Sequence, residues 1–300
     1  MLKVAWSPLY EHPLPAGHRF PMEKYSLIPE QLRYEGTLSQ DNFFEPSKVA
    51  DSVILQTHTQ AYWTKLKEQQ LSPKEIRRTG FPLSPQLIER GTTIAQGTID
   101  NCLYAFEYGV AMNIAGGTHH AFTDRGEGFC LLNDFGIAAN YLLDRGLAER
   151  ILIVDLDVHQ GNGTAEIFRS EPRVFTFSMH CEANYPLQKE QSDLDIGLPL
   201  DTKDEEYLGI LRNTLPNLIE KVAPDIILYL SGVDILKTDK LGRIACTRAG
   251  CKARDRFVFE SCYQNNIPVA VSMGGGYSVH IRDIVEAHCN TFRLAQEIWF

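Results

Sequence analysis

Residues 150–163 read Arg-Ile-Leu-Ile-Val-Asp-Leu-Asp-Val-His-Gln-Gly-Asn-Gly. The first part is a short continuous apolar run, the form a strand takes when a parallel sheet is covered on both faces. The second part sets Asp155, Asp157 and His159 at a spacing of two, and alternate residues of an extended chain point the same way. Two carboxylates and an imidazole at one point are costly to bury without a cation. Mixed oxygen and nitrogen donors suit zinc or another divalent transition metal, iron(II) included.

The same design recurs on either side. Val110–Ala115 runs into Gly116-Gly117-Thr118-His119-His120, Asp225–Leu230 into Ser231-Gly232-Val233-Asp234, and Val269–Ser272 into Met273-Gly274-Gly275-Gly276-Tyr277. Leu2–Trp6 and Arg173–Ser178 read as two further strands. Between them lie helical stretches. One opens at Ser84-Pro85, where serine caps the first turn and proline sits where no N–H is needed. Others span Asp134–Leu143, Glu205–Val222 and Ala249–Asn265. The prolines at 8, 13, 15, 21 and 29 mark the N-terminal segment as irregular loops around the first strand. Short apolar runs alternating with helices predict βαβ units, a parallel sheet and an α/β class. No shift in composition marks a second domain, so residues 1–300 are expected to form one. In such sheets ligands bind beyond the carboxyl ends of the strands, where the polar residues of this chain collect.

Composition narrows the function. With 300 residues, 44% hydrophobic and 22% charged, the chain is neither disordered nor a coiled coil. The balance of 29 basic to 38 acidic residues, net −9, argues against nucleic acid as a partner and is compatible with cationic substrates. No apolar run approaches the ~20 residues of a membrane span, and the N-terminus has no signal-like apolar region. Seven widely spaced cysteines without a CxxC pair suggest a reducing compartment, hence a cytoplasmic location.

Asp234, from another strand, can complete a three-residue metal site with an open position, the arrangement of a catalytic centre. His119 and His120 can move protons near neutrality, and Tyr277 offers a phenol at the same rim. The glycine turn before it lacks the lysine and hydroxyl of a phosphate loop. The combination points to metal-assisted amide hydrolysis. A bound cation polarises the carbonyl and lowers the pKa of water toward about 7; a histidine accepts and returns the proton; the phenol steadies the oxyanion.

These motifs resemble the zinc-dependent histone deacetylases: His119-His120 in GGTHHA, Gly128-Phe129-Cys130 with Asn133-Asp134 in GFCLLND, DLDVHQGNG from Asp155 to Gly163, Asp234 in SGVD, and Tyr277 in GGGY. Order and spacing are similar over nearly the whole chain. The HQGNG variant, with SMHCEANYP and SDLDIGLPL, looks nearest to the class IV and bacterial members. The resemblance implies an arginase-like fold, an eight-stranded parallel sheet with helices on both faces. It implies zinc on Asp157, His159 and Asp234, with His120 as general base and acid, His119 as its electrostatic partner and Tyr277 as oxyanion donor. Asp155 would hold His119 and, with Ser178 and carbonyls of Asp157, His159 and Met179, a structural potassium ion. Gly128 and Phe129, Tyr185 opposite, and Gly275 and Gly276 would contact substrate in an acyl-lysine tunnel. Arg19 would lie near an internal acetate-release channel. Hydroxamate inhibitors are expected to bind.

Two departures stand out. Gln160 and Asn162 replace a histidine and an aspartate of class I members, so Asn162 should raise the basicity of His120 less than a carboxylate does. No carboxylate lies at Gly80-Phe81-Pro82, where class I members grip the substrate backbone. The implied activity is removal of acetyl or longer acyl groups from lysine in a peptide or protein, or from a small acylated amine. Acetylpolyamine hydrolysis is the first alternative. Binuclear, arginase-type hydrolysis is disfavoured by glycine at position 161. A non-catalytic acyl-lysine binder is disfavoured by retention of the metal ligands, both histidines and Tyr277.

Overall fold

The computed structural model describes residues 1–300. Eight strands form one sheet: β1 (Lys3–Ala5), β2 (Phe43–Phe44), β3 (Val110–Asn113), β4 (Ile151–Asp155), β5 (Val174–Cys181), β6 (Leu194–Leu198), β7 (Ile226–Leu230) and β8 (Val269–Ser272). Their order is β2-β1-β3-β8-β7-β4-β5-β6, and every neighbouring pair is parallel. Every residue of β3, β8, β7 and β4 is buried, which is why these four read as unbroken apolar runs. They are also consecutive in the sheet, so the four polar loops of the sequence emerge side by side at one end.

Helix Pro85–Tyr108 packs on β3 and β8 and against helix Asp134–Asp144. Its start is capped by Ser84, whose hydroxyl accepts from the Leu87 N–H at 3.1 Å. A second layer runs from helix Asp204–Val222 through Arg248–Gln264 and Ile281–Trp299 to Lys24–Tyr34, each packed on the next. One contiguous cluster of 80 buried hydrophobic residues joins sheet and helices, and all seven cysteines are buried free thiols. No helix is long and apolar enough to cross a membrane.

The N-terminal segment corrects the sequence reading. Pro29 lies inside helix Lys24–Tyr34 rather than in a loop. A proline has no N–H to give the carbonyl four residues back. That carbonyl, of Tyr25, instead accepts from the Trp6 indole at 2.8 Å, so the helix survives its proline.

Candidate active site

The loops after β3, β4, β7 and β8 meet in a buried cluster. Asp157, His159 and Asp234 each offer a ligand atom, and these atoms lie within 4.8 Å of one another. His159 Nδ1 is 3.0 Å from Asp157 Oδ1 and 3.3 Å from Asp234 Oδ2. The second oxygen of Asp157 accepts from the Gly275 N–H (2.9 Å), and Asp234 Oδ1 from the Val158 N–H (3.0 Å). Asp234 Oδ2 is buried and makes no well-formed hydrogen bond; its polar neighbour, His159 Nδ1 at 3.3 Å, sits closer to Asp157 Oδ1. A fully buried carboxylate oxygen so poorly matched is costly, and a cation among these atoms would supply what it lacks, so the donor set fits a divalent metal.

Asp155 does not converge with them. The strand ends at Asp155, the chain turns, and the strict alternation that would align all three residues stops there. Its Oδ2 instead accepts from His119 Nδ1 at 2.7 Å and its Oδ1 from the Asp157 N–H at 3.1 Å. Ser178 is its register partner on β5, followed by Met179. The Ser178 hydroxyl lies 3.0 Å from His180 Nδ1.

The histidine pair is held from below. Both oxygens of buried Asp134 are occupied, by the N–H groups of Gly117 (3.1 Å) and Thr118 (2.8 Å) and by the hydroxyls of Thr98, Thr118 and Ser272. This fixes the turn that presents His119 and His120, whose ring centroids are 4.1 Å apart. Gly117 has a positive φ, and a Cβ there would meet the Gly274 backbone at 2.7 Å, so the two glycine turns touch. His120 Nδ1 lies 2.6 Å from Asn162 Oδ1.

The two rings differ electrically. Burial pushes His119 down, but the charge and hydrogen bond of Asp155, with Asp157 behind, outweigh it and hold His119 above its usual value. Burial pushes His120 down too, and the charges of His119 and His159 push it further, well below 6.5. His120 is therefore the neutral ring. Burial, then the charges of Asp157 and Asp234, keep Tyr277 protonated to high pH.

Phe129, at φ 68°, projects its ring between Phe20 (5.2 Å), Phe81 (5.3 Å) and Tyr277 (5.9 Å). Gly128 lies flat on His120, where a Cβ would come within 2.6 Å of the ring. Tyr185 closes the other side, its ring edge-on 5.0 Å from His120 and its hydroxyl donating to Glu127 at 2.6 Å. The Tyr277 N–H is held by Asp239 at 2.6 Å.

Two expected placements change. Arg19 is exposed at the outer mouth with its guanidinium 5.1 Å from the Phe129 ring centre, because the segment before Phe20 runs over the surface. The arginine of the inner cavity is Arg90, buried, donating to the Tyr10 carbonyl at 2.7 Å. Gly276 lies outside the cavity wall, against Val233 and His288, while Gly275 lines the wall and donates its N–H to Asp157.

Besides Arg90, two wholly buried cations escaped the sequence reading. Lys24, wholly buried, donates to the Gly274 carbonyl at 3.1 Å. Arg254, also wholly buried, donates to the carbonyls of Leu156 (3.2 Å), Gly232 (2.6 Å) and Ser231 (3.3 Å), the backbone that leads into Asp157 and Asp234. Asp255 anchors it at 2.8 Å and is itself held by Tyr229 and Thr291. In sequence, Arg254-Asp255 looks like any charged pair on a helix.

A profile described as the histone deacetylase domain matches residues 18–292. The chain belongs to the histone deacetylase family. This deacetylase-family chain is 45% identical over 296 residues to an uncharacterized protein of Picosynechococcus sp., covering 99% of each. It is 28% identical to histone deacetylase 2 of Arabidopsis thaliana, over 87% of this chain and 70% of the relative. It is 27% identical to the acetoin utilization protein AcuC of Staphylococcus aureus, over 87% and 73%. Among solved structures it superposes on an HDAC homolog from Aquifex aeolicus with a TM-score of 0.83 at 25% identity, covering 97% of this chain and 82% of that one. It also superposes on an HDAC homolog complexed with SAHA, with a TM-score of 0.82 at 25% identity over 98% and 82%. The eight-stranded parallel sheet is thus the arginase-like fold of this family.

Proposed function

We propose that this chain is a zinc-dependent deacylase of Nε-acyl-lysine. The observation that carries the reading is a neutral, tautomer-fixed His120 beside the Asp157–His159–Asp234 donor set, under a tunnel of Gly128, Phe129, Tyr185 and Tyr277. Zinc held by those three residues would polarise the acyl carbonyl and acidify water. Asn162 Oδ1 can only accept, so the His120 proton sits on Nδ1 and the Nε2 lone pair is free. Nε2 takes the proton of the attacking water and passes it to the departing lysine amine. His119, whose charged form Asp155 favours, stays in place and holds down the basicity of its neighbour. Tyr277, kept protonated, donates its hydroxyl to the oxyanion. Gly128, Phe129 and Tyr185 guide the apolar stem of the lysine.

Asp155, Ser178 and Met179, with the carbonyls of Asp157 and His159, are proposed to hold a structural potassium ion, a role supported by the Asp155–Ser178 register. The SAHA complex of a structural neighbour supports hydroxamate binding here. The test is turnover of an acetyl-lysine peptide with zinc, with chelator and with a hydroxamate. Activity lost to both agents is expected; activity indifferent to chelator contradicts the proposal.

A further inference from the structure

The tunnel opens into an outer chamber whose wall carries four cationic side chains, Arg19, Arg78, Lys240 and Arg243, and no carboxylate. All four are exposed. They come from three parts of the chain: the N-terminal segment, the last turn of helix Pro73–Thr79, and the loop after β7. The chain as a whole is net −9, so this mouth has the sign opposite to the molecule.

Neighbouring carboxylates do not cancel it. Of the four, only Arg78 has an acidic partner, Glu127 at 3.8 Å. Glu127 is already taken by the Arg125 guanidinium (2.9 Å) and the Tyr185 hydroxyl (2.6 Å). Asp239, beside Lys240 in sequence, turns its carboxylate to the N–H groups of Leu241, Gly242 and Tyr277. A concave mouth lined by one sign of charge concentrates the opposite charge at the tunnel.

We infer that the mouth selects acyl-lysines set in acidic sequence, with Asp or Glu flanking the modified lysine. The same charges repel the ammonium groups of an acetylpolyamine, so the acidic overall composition misleads about substrate charge. The inference rests on the deacylase reading and names its substrate class.

The test compares acetyl-lysine peptides with glutamate, alanine or lysine flanks, and N-acetylspermidine, at low salt and at about 1 M salt, where screening reaches about 3 Å. At low salt kcat/KM should fall from acidic through neutral to basic flanks by about tenfold in all, with acetylspermidine last, and the spread should shrink in high salt. The double variant Lys240→Glu/Arg243→Glu should flatten or invert the order. Arg212→Glu, on the exposed side of helix Asp204–Val222, changes net charge outside the mouth and should leave the order intact. Binding of the labelled peptides to Tyr277→Phe, read by fluorescence anisotropy, scores the preference without turnover. Equal turnover of the three peptides, or acetylspermidine ahead of them, overturns the inference and leaves amide hydrolysis standing. No turnover of any peptide overturns the deacylase reading, while anisotropy still decides the charge preference.

Discussion

His120 Nδ1 meets the amide oxygen of Asn162 at 2.6 Å, whereas His119 Nδ1 meets the carboxylate of Asp155 at 2.7 Å. Two adjacent imidazoles thus have one neutral and one charged acceptor. The charged acceptor stabilises an imidazolium and the neutral one only fixes a tautomer. His120 is held well below 6.5, first by burial and then by His119 and His159. Its group is therefore already deprotonated at pH 6.5, and the acidic limb of kcat/KM should lie below that pH. Asn162→Asp adds a negative charge that favours the protonated ring, so the limb should move up. A pH profile of the two proteins checks this; identical limbs would separate His120 from the base role.

Tyr277→Phe keeps the ring against Phe20 and Phe129 but removes the hydroxyl. Loss of a donor used only on the oxyanion lowers kcat about 10²–10³-fold and leaves KM nearly unchanged. Steady-state kinetics on one peptide separates the two constants. A rise in KM alone would make Tyr277 a wall of the tunnel and nothing more.

Metal binding should depend on pH, because two of the three donors, Asp234 and His159, take up protons more readily than usual when no cation is there. Burial, reinforced by the charge of Asp157, pushes Asp234 up to about 7. Burial lowers His159, but hydrogen bonds and charge from Asp157 and Asp234 outweigh it and raise the ring to about 10. Protons that compete at pH 6 are fewer at pH 8, so zinc affinity should rise over that interval with release of protons. Calorimetry in two buffers of different ionisation enthalpy measures both. Constant affinity without proton release would show that the donors are not coupled as described.

Arg254 and Arg256 lie two residues apart on one helix with opposite expectations. Arg254 is fully buried and pins three carbonyls; Arg256 pairs at the surface with Glu297 at 2.9 Å. Arg254→Met strands Asp255 and frees the loops that carry the metal donors, so stability should fall by about 3–5 kcal/mol and zinc should bind more weakly. Arg256→Ala should cost about 1 kcal/mol or less. Chemical denaturation and zinc competition with a chelating dye read the two effects. Equal behaviour of the two variants would remove Arg254 from the support of the site.

The strands that carry the site were legible because β3, β4, β7 and β8 are buried on both faces and each ends in polar residues and glycine. Local apolar pattern did not reveal the two edge strands. β2 is only Phe43–Phe44, and β6 exposes Asp195 and Gly197 between apolar neighbours. The N-terminal helix was hidden by Pro29, whose cost is offset by Trp6, a partner distant in sequence. Within the site, the alternation of residues alone grouped Asp155 with Asp157, His159 and Asp234, whereas the family resemblance set it apart as the partner of His119; the physical reason is that β4 stops at Asp155. Lys24 and Arg254 could not be found at all, because a buried cation is recognised by the carbonyls around it, and those come from elsewhere in the chain. The positive mouth was invisible for the same reason: its four cations are scattered from residue 19 to residue 243.

The most direct measurement is turnover of acetyl-, propionyl-, lactyl-, octanoyl- and myristoyl-lysine peptides beside N-acetylputrescine and N-acetylspermidine, with zinc, with chelator and with a hydroxamate. Hydrolysis of lysine peptides that stops with chelator and with hydroxamate is the expected result. Silence on every lysine peptide with one zinc bound per chain, or cleavage of the acetylpolyamines alone, would contradict a lysine deacylase.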